Sequence, residues 1–177
     1  MRTPVGLVTV SLTAAIMVAV SFLIATGTRG EAPVFGSSAG ELEVRTIARG
    51  LANPWALAFL PDGKMLVTER PGRTRIVNAE GQISPPLKGV PDVWASGQGG
   101  LLDVVTDKSF AENKTIYFCF AERTDGGGRT TAARAKLNDG NGRLDDVKII
   151  FRPQGPRSSG NHFGCRIAQA DDGNLFG

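Results

Sequence analysis

A short unit of strand, turn and strand recurs along this chain and restricts its fold more than any other feature. In the first copy an apolar run at Ala56 to Leu60 leads into the turn Pro61-Asp62-Gly63, and a second strand is predicted over Lys64 to Glu69. Near the end of the sequence the same order returns at Ile167 to Ala170, followed by Asp171-Asp172-Gly173. A supersecondary unit that is copied within one chain is typical of repeat architectures, in which each copy packs on its neighbours.

Alternation between apolar and polar side chains predicts strands over most of the intervening chain. These are predicted at Leu42 to Ile47, Arg73 to Asn78, Leu101 to Thr106, Thr115 to Phe120, Thr130 to Leu137 and Val147 to Phe151. The glycines at 126–128 and the Asp139-Gly140 pair predict hairpin turns. With 23 glycines and no sustained amphipathic helix, the sequence favours an all-β fold. Units spaced about 45 to 65 residues apart favour the blades of a β-propeller, and a β-sandwich with chance Asp-Gly hairpins is the alternative.

The N-terminal segment has the pattern of an export signal. Arg2 precedes an uncharged apolar run over residues 5–25, and small residues follow at Ala25 and Gly27. We expect a helix over 5–25 that is cleaved near Gly27 as a signal peptide, although the length of the run also suits an uncleaved membrane anchor. Residues 28–41 are predicted to be a linker and residues 42–177 the β region. The protein is therefore predicted to be periplasmic or otherwise exported.

Charge and cysteine content narrow the possible functions. The formal net charge of +3 is dispersed, with no block of lysine or arginine, so nucleic-acid binding is not indicated. No Cys/His spacing suits zinc. An exported protein can form a disulfide, but nothing in the sequence brings Cys119 and Cys165 together, and buried free cysteine is common. Two free cysteines are therefore the expectation, with a Cys119–Cys165 bridge as the alternative.

Three polar residues are candidates for chemistry. His162 is the single histidine and lies among glycines, beside Asn161 and shortly before Arg166. A neutral imidazole can accept a proton at ordinary pH, although a lone histidine is more often a surface or core residue. Gln98 lies in the run Gly97–Gly100, where the glycines allow a ligand to approach the backbone and the amide offers both a donor and an acceptor. A simple tight loop is the alternative for this run.

Three motifs in order resemble the pyrroloquinoline quinone (PQQ)-dependent soluble aldose sugar dehydrogenases, the glucose/sorbosone dehydrogenase family. They are the stretch from Leu51 to Arg73, the octet Gly97-Gln-Gly-Gly-Leu-Leu-Asp-Val and the octet Gly160-Asn-His-Phe-Gly-Cys-Arg-Ile. The resemblance covers about Leu42 to Phe176. It implies a six-bladed β-propeller, of which this sequence would hold about two blades and the start of a third.

The resemblance also implies a reaction and its residues. Members of the family bind PQQ and calcium and oxidise the anomeric carbon of sugars to lactones. His162 matches the general base, Gln98 a glutamine that contacts the cofactor, and Asn161 the polar residue beside the base. The calcium ligands and the cationic groups for the quinone belong to later blades, so no metal residue is assigned here. A truncated and inactive fragment is therefore expected, and the electron acceptor of the complete enzyme would be external.

Several positions depart from the family pattern, and other functions stay open. Cys165 lies where a small residue is expected, Gln169 where an apolar residue would suit the strand, and Ala170-Asp171 replaces the Pro-Asp turn of the first copy. A propeller lactonase or another hydrolase, which needs converging metal ligands, is one alternative. A non-catalytic propeller that serves as a binding module is the other. The preferred sugar is not determined by the sequence.

Overall fold

The computed structural model describes residues 32–125, 127–155 and 160–177. The described residues fall into two units, 32–44 and 45–177. In the first unit, strands β1 (Val34–Ser37) and β2 (Gly40–Glu43) pair as an exposed antiparallel hairpin. The helix predicted over 5–25 and its cleavage site lie outside the described residues. Among those residues, no helix is long and apolar enough to cross a membrane.

The first sheet of the larger unit is built from the first predicted repeat. Strands β3 (Pro54–Phe59), β4 (Met65–Glu69) and β5 (Arg73–Val77) pair antiparallel in sequence order. The predicted turn joins β3 to β4, because Gly63 adopts a φ of 81° and the Asp62 carboxylate accepts a hydrogen bond from the backbone N–H two residues on. The prediction of short antiparallel strands joined at this Asp-Gly pair is confirmed.

The second sheet holds four antiparallel strands in chain order. These are β6 (Leu101–Thr106), β7 (Thr115–Thr124), β8 (Gly127–Asn138) and β9 (Arg143–Phe151). A short helix, α1 (Phe110–Asn113), joins β6 to β7, and the predicted Asp139-Gly140 turn is a 3₁₀ segment between β8 and β9. Strands β10 (Ala168–Gln169) and β11 (Leu175–Phe176) form a further hairpin around the second repeat.

Strand β7 explains how the larger unit is packed. Phe118 and Phe120 point into a core shared with Leu66 and Ile76 of the first sheet. The alternate residues Cys119 and Ala121 point the other way, into a second cluster that contains the buried side chains of Leu102, Phe163 and Ile167. Because side chains of a strand alternate between its faces, the four-stranded sheet is covered on both sides. A sheet enclosed by neighbouring sheets is the arrangement expected for a propeller blade.

The expectation of two free cysteines is wrong. Cys119 and Cys165 form a disulfide with an S–S distance of 2.07 Å, which links β7 to the segment before β10. The two residues are 46 positions apart, and only the packing of that segment on the second face of the sheet brings them together. Alternation predicted that Cys119 is buried, but it contains no information about which segment covers that face.

The outer face of β3 is apolar and open to solvent. Trp55, Leu57 and Phe59 alternate along the strand and expose 46%, 51% and 71% of their surface. Phe151 and Phe176 are more than half exposed as well, at 61% and 63%. Exposed apolar surface of this extent is typical of a face that another protein segment covers.

Candidate functional site

Two loops that are distant in sequence meet at the candidate site. The backbone N–H of Gln98 donates to the carbonyl of Gly160 at 2.7 Å, and the backbone N–H of His162 donates to the Oε1 atom of Gln98, also at 2.7 Å. One glutamine thus binds the second loop with both its main chain and its side chain. The structure brings together Gln98 and His162, two of the residues that the sequence singled out.

The contact between the loops depends on a glycine. A Cβ atom at Gly97 would lie 2.2 Å from the carbonyl oxygen of Gly160, and the φ of Gly97 is 56°. An L-residue would therefore meet both a steric clash and a strained backbone at this position. The glycine-rich run of the sequence is a tight loop, and its tightness is what allows the second loop to approach.

His162 is presented to solvent at the edge of a cavity. Its φ of 67° lies in the left-handed region, which is uncommon for a residue with a side chain. The histidine lines a cavity of about 890 Å³ together with Thr130, Ile150 and Phe151. Its imidazole makes no hydrogen bond to any described residue, and His162 is exposed. Asn161 is exposed beside it, and its side chain likewise bonds to none of the described residues.

The chain after His162 is anchored at three places. Phe163 is buried and packs edge-to-face on Trp94, with ring centroids 5.4 Å apart. Cys165 is held by the disulfide, and the Ile167 N–H donates to Asp103 Oδ2 at 2.7 Å. A residue in a left-handed conformation persists where its surroundings fix it, and these anchors supply that restraint.

Sequence reasoning missed the contribution of Asp103. This carboxylate is only 2% exposed and lies inside the apolar run of β6. It accepts from the Ile167 N–H, and the Arg166 guanidinium lies 3.4 Å from its other oxygen. An acidic residue between apolar neighbours in a predicted strand itself indicates a contact with another segment, because a buried carboxylate requires hydrogen-bond partners.

The three departures from the family pattern all contact the four-stranded sheet or its loops. Cys165 bonds to β7, and Asp171 forms an ion pair with Lys108. Gln169 accepts a hydrogen bond from the backbone N–H of Lys108 at 2.8 Å and donates to Asp107 Oδ2 at 3.1 Å. These residues therefore join the β10–β11 hairpin to the preceding sheet.

The hydrogen bonds around Asp107 also change its acidity. Burial alone would raise the pKa of this carboxyl group. Hydrogen bonds from the Ser109 N–H, Asn113, Tyr117 and Gln169 have the larger combined effect and lower its pKa from 3.8 to about 2. The charged form is thus stabilised by its partners. Asp107 lies at the junction between the four-stranded sheet and the β10–β11 hairpin. Within the described chain its carboxylate forms no hydrogen bond to the loop that carries His162.

The fold and the two loops define the class of protein, an all-β chain whose antiparallel sheets are blades of a β-propeller. The family model described as Glucose / Sorbosone dehydrogenase matches residues 51–177. The chain belongs to this family. The matched range of residues includes Gln98, Asn161 and His162.

Named relatives and solved structures agree with this assignment. The aldose sugar dehydrogenase YliI of Escherichia coli (strain K12) is 44% identical over 137 residues, which are 76% of this chain and 37% of the relative. A crystal structure of a glucose dehydrogenase superposes with a TM-score of 0.71 at 44% identity, covering 74% of this chain and 39% of the other.

The PQQ-bound aldose sugar dehydrogenase of Streptomyces coelicolor superposes with a TM-score of 0.61 at 32% identity, covering 75% of this chain and 39% of the other. The chain thus spans less than two fifths of the length of these proteins.

Proposed function

We propose that this protein takes part in the PQQ-dependent oxidation of aldose sugars at the anomeric carbon, with a lactone as product. The observation that carries the proposal is the junction of the two loops, in which Gln98 Oε1 accepts the His162 backbone N–H while the imidazole makes no hydrogen bond within the described chain. The E. coli relative is named an aldose sugar dehydrogenase, and the Streptomyces protein is PQQ-bound. Both names support the proposed reaction class.

The residues present suit one side of a quinone site. The Gln98 Nε2 group and the Asn161 amide donate no hydrogen bond within the described chain and are exposed. Amide donors of this kind can bind quinone carbonyl and carboxylate oxygens. We therefore assign Gln98 and Asn161 to cofactor binding. When bound, PQQ supplies a two-electron acceptor for the hydride of the anomeric carbon.

His162 is proposed as the general base. Loss of hydride from the anomeric carbon makes its hydroxyl group strongly acidic, and an imidazole nitrogen can take that proton as the lactone carbonyl forms. A positioned base of this kind contributes about 10²- to 10⁴-fold in rate. The exposed position of His162 along the cavity supports this role, since a base needs an open approach for its substrate.

Calcium binding, export and the electron acceptor are also proposals. Among the described residues no group of three or more His, Cys, Asp or Glu side chains could hold a metal ion. We propose that the calcium ligands and the cationic partners of the quinone lie in parts of the propeller beyond these blades. The apolar N-terminal run supports export, with cleavage or membrane anchoring, and an external acceptor would reoxidise the quinone.

The test is reconstitution of the complete protein with PQQ and calcium, followed by dye reduction with a panel of aldoses. The proposal expects sugar-dependent reduction that requires PQQ and a lactone product. PQQ-independent lactone hydrolysis would instead indicate a propeller hydrolase. Sugar binding without dye reduction would indicate a binding module. Either of these two results would overturn the proposed oxidation.

A further inference from the structure

Arg70 lies at the end of β4 and contacts the loop that carries Gln98. Its Nη1 atom donates to the carbonyl oxygens of Gly97 at 2.8 Å and of Gly99 at 3.1 Å. These two carbonyls flank Gln98 on either side. One guanidinium nitrogen therefore fixes the backbone on both sides of the glutamine.

The main chain of Arg70 is part of the same contact. Its carbonyl accepts the Leu101 N–H at 3.0 Å, and its own N–H donates to the Asn53 carbonyl at 2.9 Å. A Cβ atom at Gly100 would lie 2.4 Å from the Arg70 Cγ atom and 2.6 Å from its carbonyl oxygen. The glycine thus provides the space through which the arginine reaches the loop.

Neighbouring arginines have a different role. Arg73 and Arg75 both pair with the buried carboxylate of Glu69, at 2.6 and 3.4 Å. Within the described chain Arg70 forms no ion pair, and its charge is directed at backbone carbonyls instead. Hydrogen bonds from a charged donor are stronger than neutral ones, and a planar guanidinium is more rigid than a lysine ammonium.

We propose that Arg70 is a positioning residue for the candidate site, acting on His162 through Gln98. Arg70 fixes Gly97 and Gly99, Gln98 is thereby held in place, and its Oε1 atom accepts the His162 N–H at 2.7 Å. The chain of contacts crosses from the first sheet, through the loop before β6, to the loop before β10. This inference rests on the proposed function only for the catalytic meaning of His162.

The experiment measures hydrogen exchange of the His162 backbone amide in the complete, cofactor-free protein. In Arg70→Met we expect this amide to exchange at least about 10-fold faster, because the acceptor on Gln98 is no longer held. Arg70→Lys should recover part of the protection, since it keeps the charge and one carbonyl contact. Arg75→Met is the matched control, because Arg75 donates to the carbonyl of Ser84 at 2.7 Å and makes no hydrogen bond to the loop that carries Gln98 within the described chain.

A second measurement separates this inference from the proposed function. PQQ dissociation constants of the same variants should rise at least about 10-fold in Arg70→Met and stay unchanged in Arg75→Met. Unchanged His162 exchange in Arg70→Met would overturn the inference. If that variant does not fold, wild-type exchange in Arg70→Lys together with wild-type PQQ affinity would overturn it as well. Faster exchange in Arg70→Met, with no PQQ binding even by the parent, would support the positioning role and refute the proposed cofactor.

Discussion

The backbone N–H of His162 donates to the side-chain Oε1 of Gln98 at 2.7 Å, across 64 residues of sequence. This bond leaves the Nε2 group of the glutamine and the whole imidazole of the histidine unbonded within the described chain. The proposed cofactor-binding residue and the proposed base are therefore positioned relative to each other before any ligand arrives. Preorganisation of this kind reduces the loss of conformational freedom on binding.

Replacing the proposed base should affect catalysis far more than binding. In the complete protein, His162→Ala should lower kcat for aldose oxidation by about 10²-fold or more and leave PQQ affinity nearly unchanged, because its backbone N–H still reaches Gln98. Steady-state kinetics and cofactor titration measure the two effects separately. Activity equal to that of the parent would show that another group removes the proton.

Gln98→Ala should affect cofactor binding more than catalysis. Loss of the Oε1 acceptor and the Nε2 donor should weaken PQQ retention by about 10-fold or more, since a hydrogen bond to a charged group contributes about 1.5–3 kcal/mol. Gln82→Ala provides the control, because that glutamine bonds only to Asn78 in the described chain. Equilibrium dialysis would measure PQQ retention by both variants. Equal retention by the two variants would contradict the role of Gln98.

The disulfide should contribute substantially to stability. A bridge between residues 46 apart restricts the unfolded chain, and its removal in a Cys119→Ala/Cys165→Ala variant should lower the free energy of unfolding by about 2–4 kcal/mol. Urea unfolding of the variant and of the parent, with and without reductant, measures the difference. Detection of two free thiols in the non-reduced, unfolded parent would show that the bridge does not form.

Acid should weaken the junction at Asp107. The pKa of this carboxyl group is about 2 in the folded protein against an ordinary value of 3.8, so the folded state favours the charged form. Its contribution is therefore fully present above about pH 4 and is lost as the pH falls to about 2. After allowance for solvent screening we expect about 1–2 kcal/mol.

Acid unfolding of Asp107→Asn is the corresponding measurement. This variant should be less stable at neutral pH and should show a shallower loss of stability between about pH 4 and about pH 2. Asp92→Asn, at an exposed carboxylate, is the control. Identical pH profiles for Asp107→Asn and the parent would contradict the expectation.

The 177-residue polypeptide on its own should be marginally stable and inactive. The apolar face of Trp55, Leu57 and Phe59 is about half exposed or more, and each propeller blade depends on neighbours to cover such a face. Binding of a hydrophobic dye and a broad thermal transition would be the expected observations. Oxidation of glucose by this polypeptide with PQQ and calcium at the rate of a complete enzyme would refute the expectation.

Local patterns predicted the strands well and the contacts between them poorly. Strand β6 has the predicted bounds, Leu101–Thr106, because alternation and turn residues are local properties of the sequence. Strand β2 ends at Glu43, although alternation continued to Ile47. Its partner β1 begins at Val34, opposite Glu43, so within the described chain no strand pairs with the residues after Glu43. Alternation alone cannot supply a hydrogen-bonded neighbour.

The sequence predicted only part of the site, again because contacts between distant segments are not local properties of the sequence. The resemblance identified Gln98 and His162, and the structure places them in contact. Arg70, Asp103 and the disulfide were missed because their partners lie 27 or more residues away along the chain. Such pairings depend on the order in which sheets stack, which no single segment specifies.

The close approach of the two loops is asymmetric, and this limits how the site could be altered by protein engineering. A Cβ atom at Gly97 would collide with a backbone oxygen, whereas one at Gly160 would lie 3.4 Å from its nearest neighbour, an ordinary van der Waals distance. A combinatorial library aimed at changing the proposed sugar preference should therefore keep Gly97 constant. Diversity belongs at Gly160 and at the exposed positions Ala95 and Ser96, where side chains can be added without separating the loops.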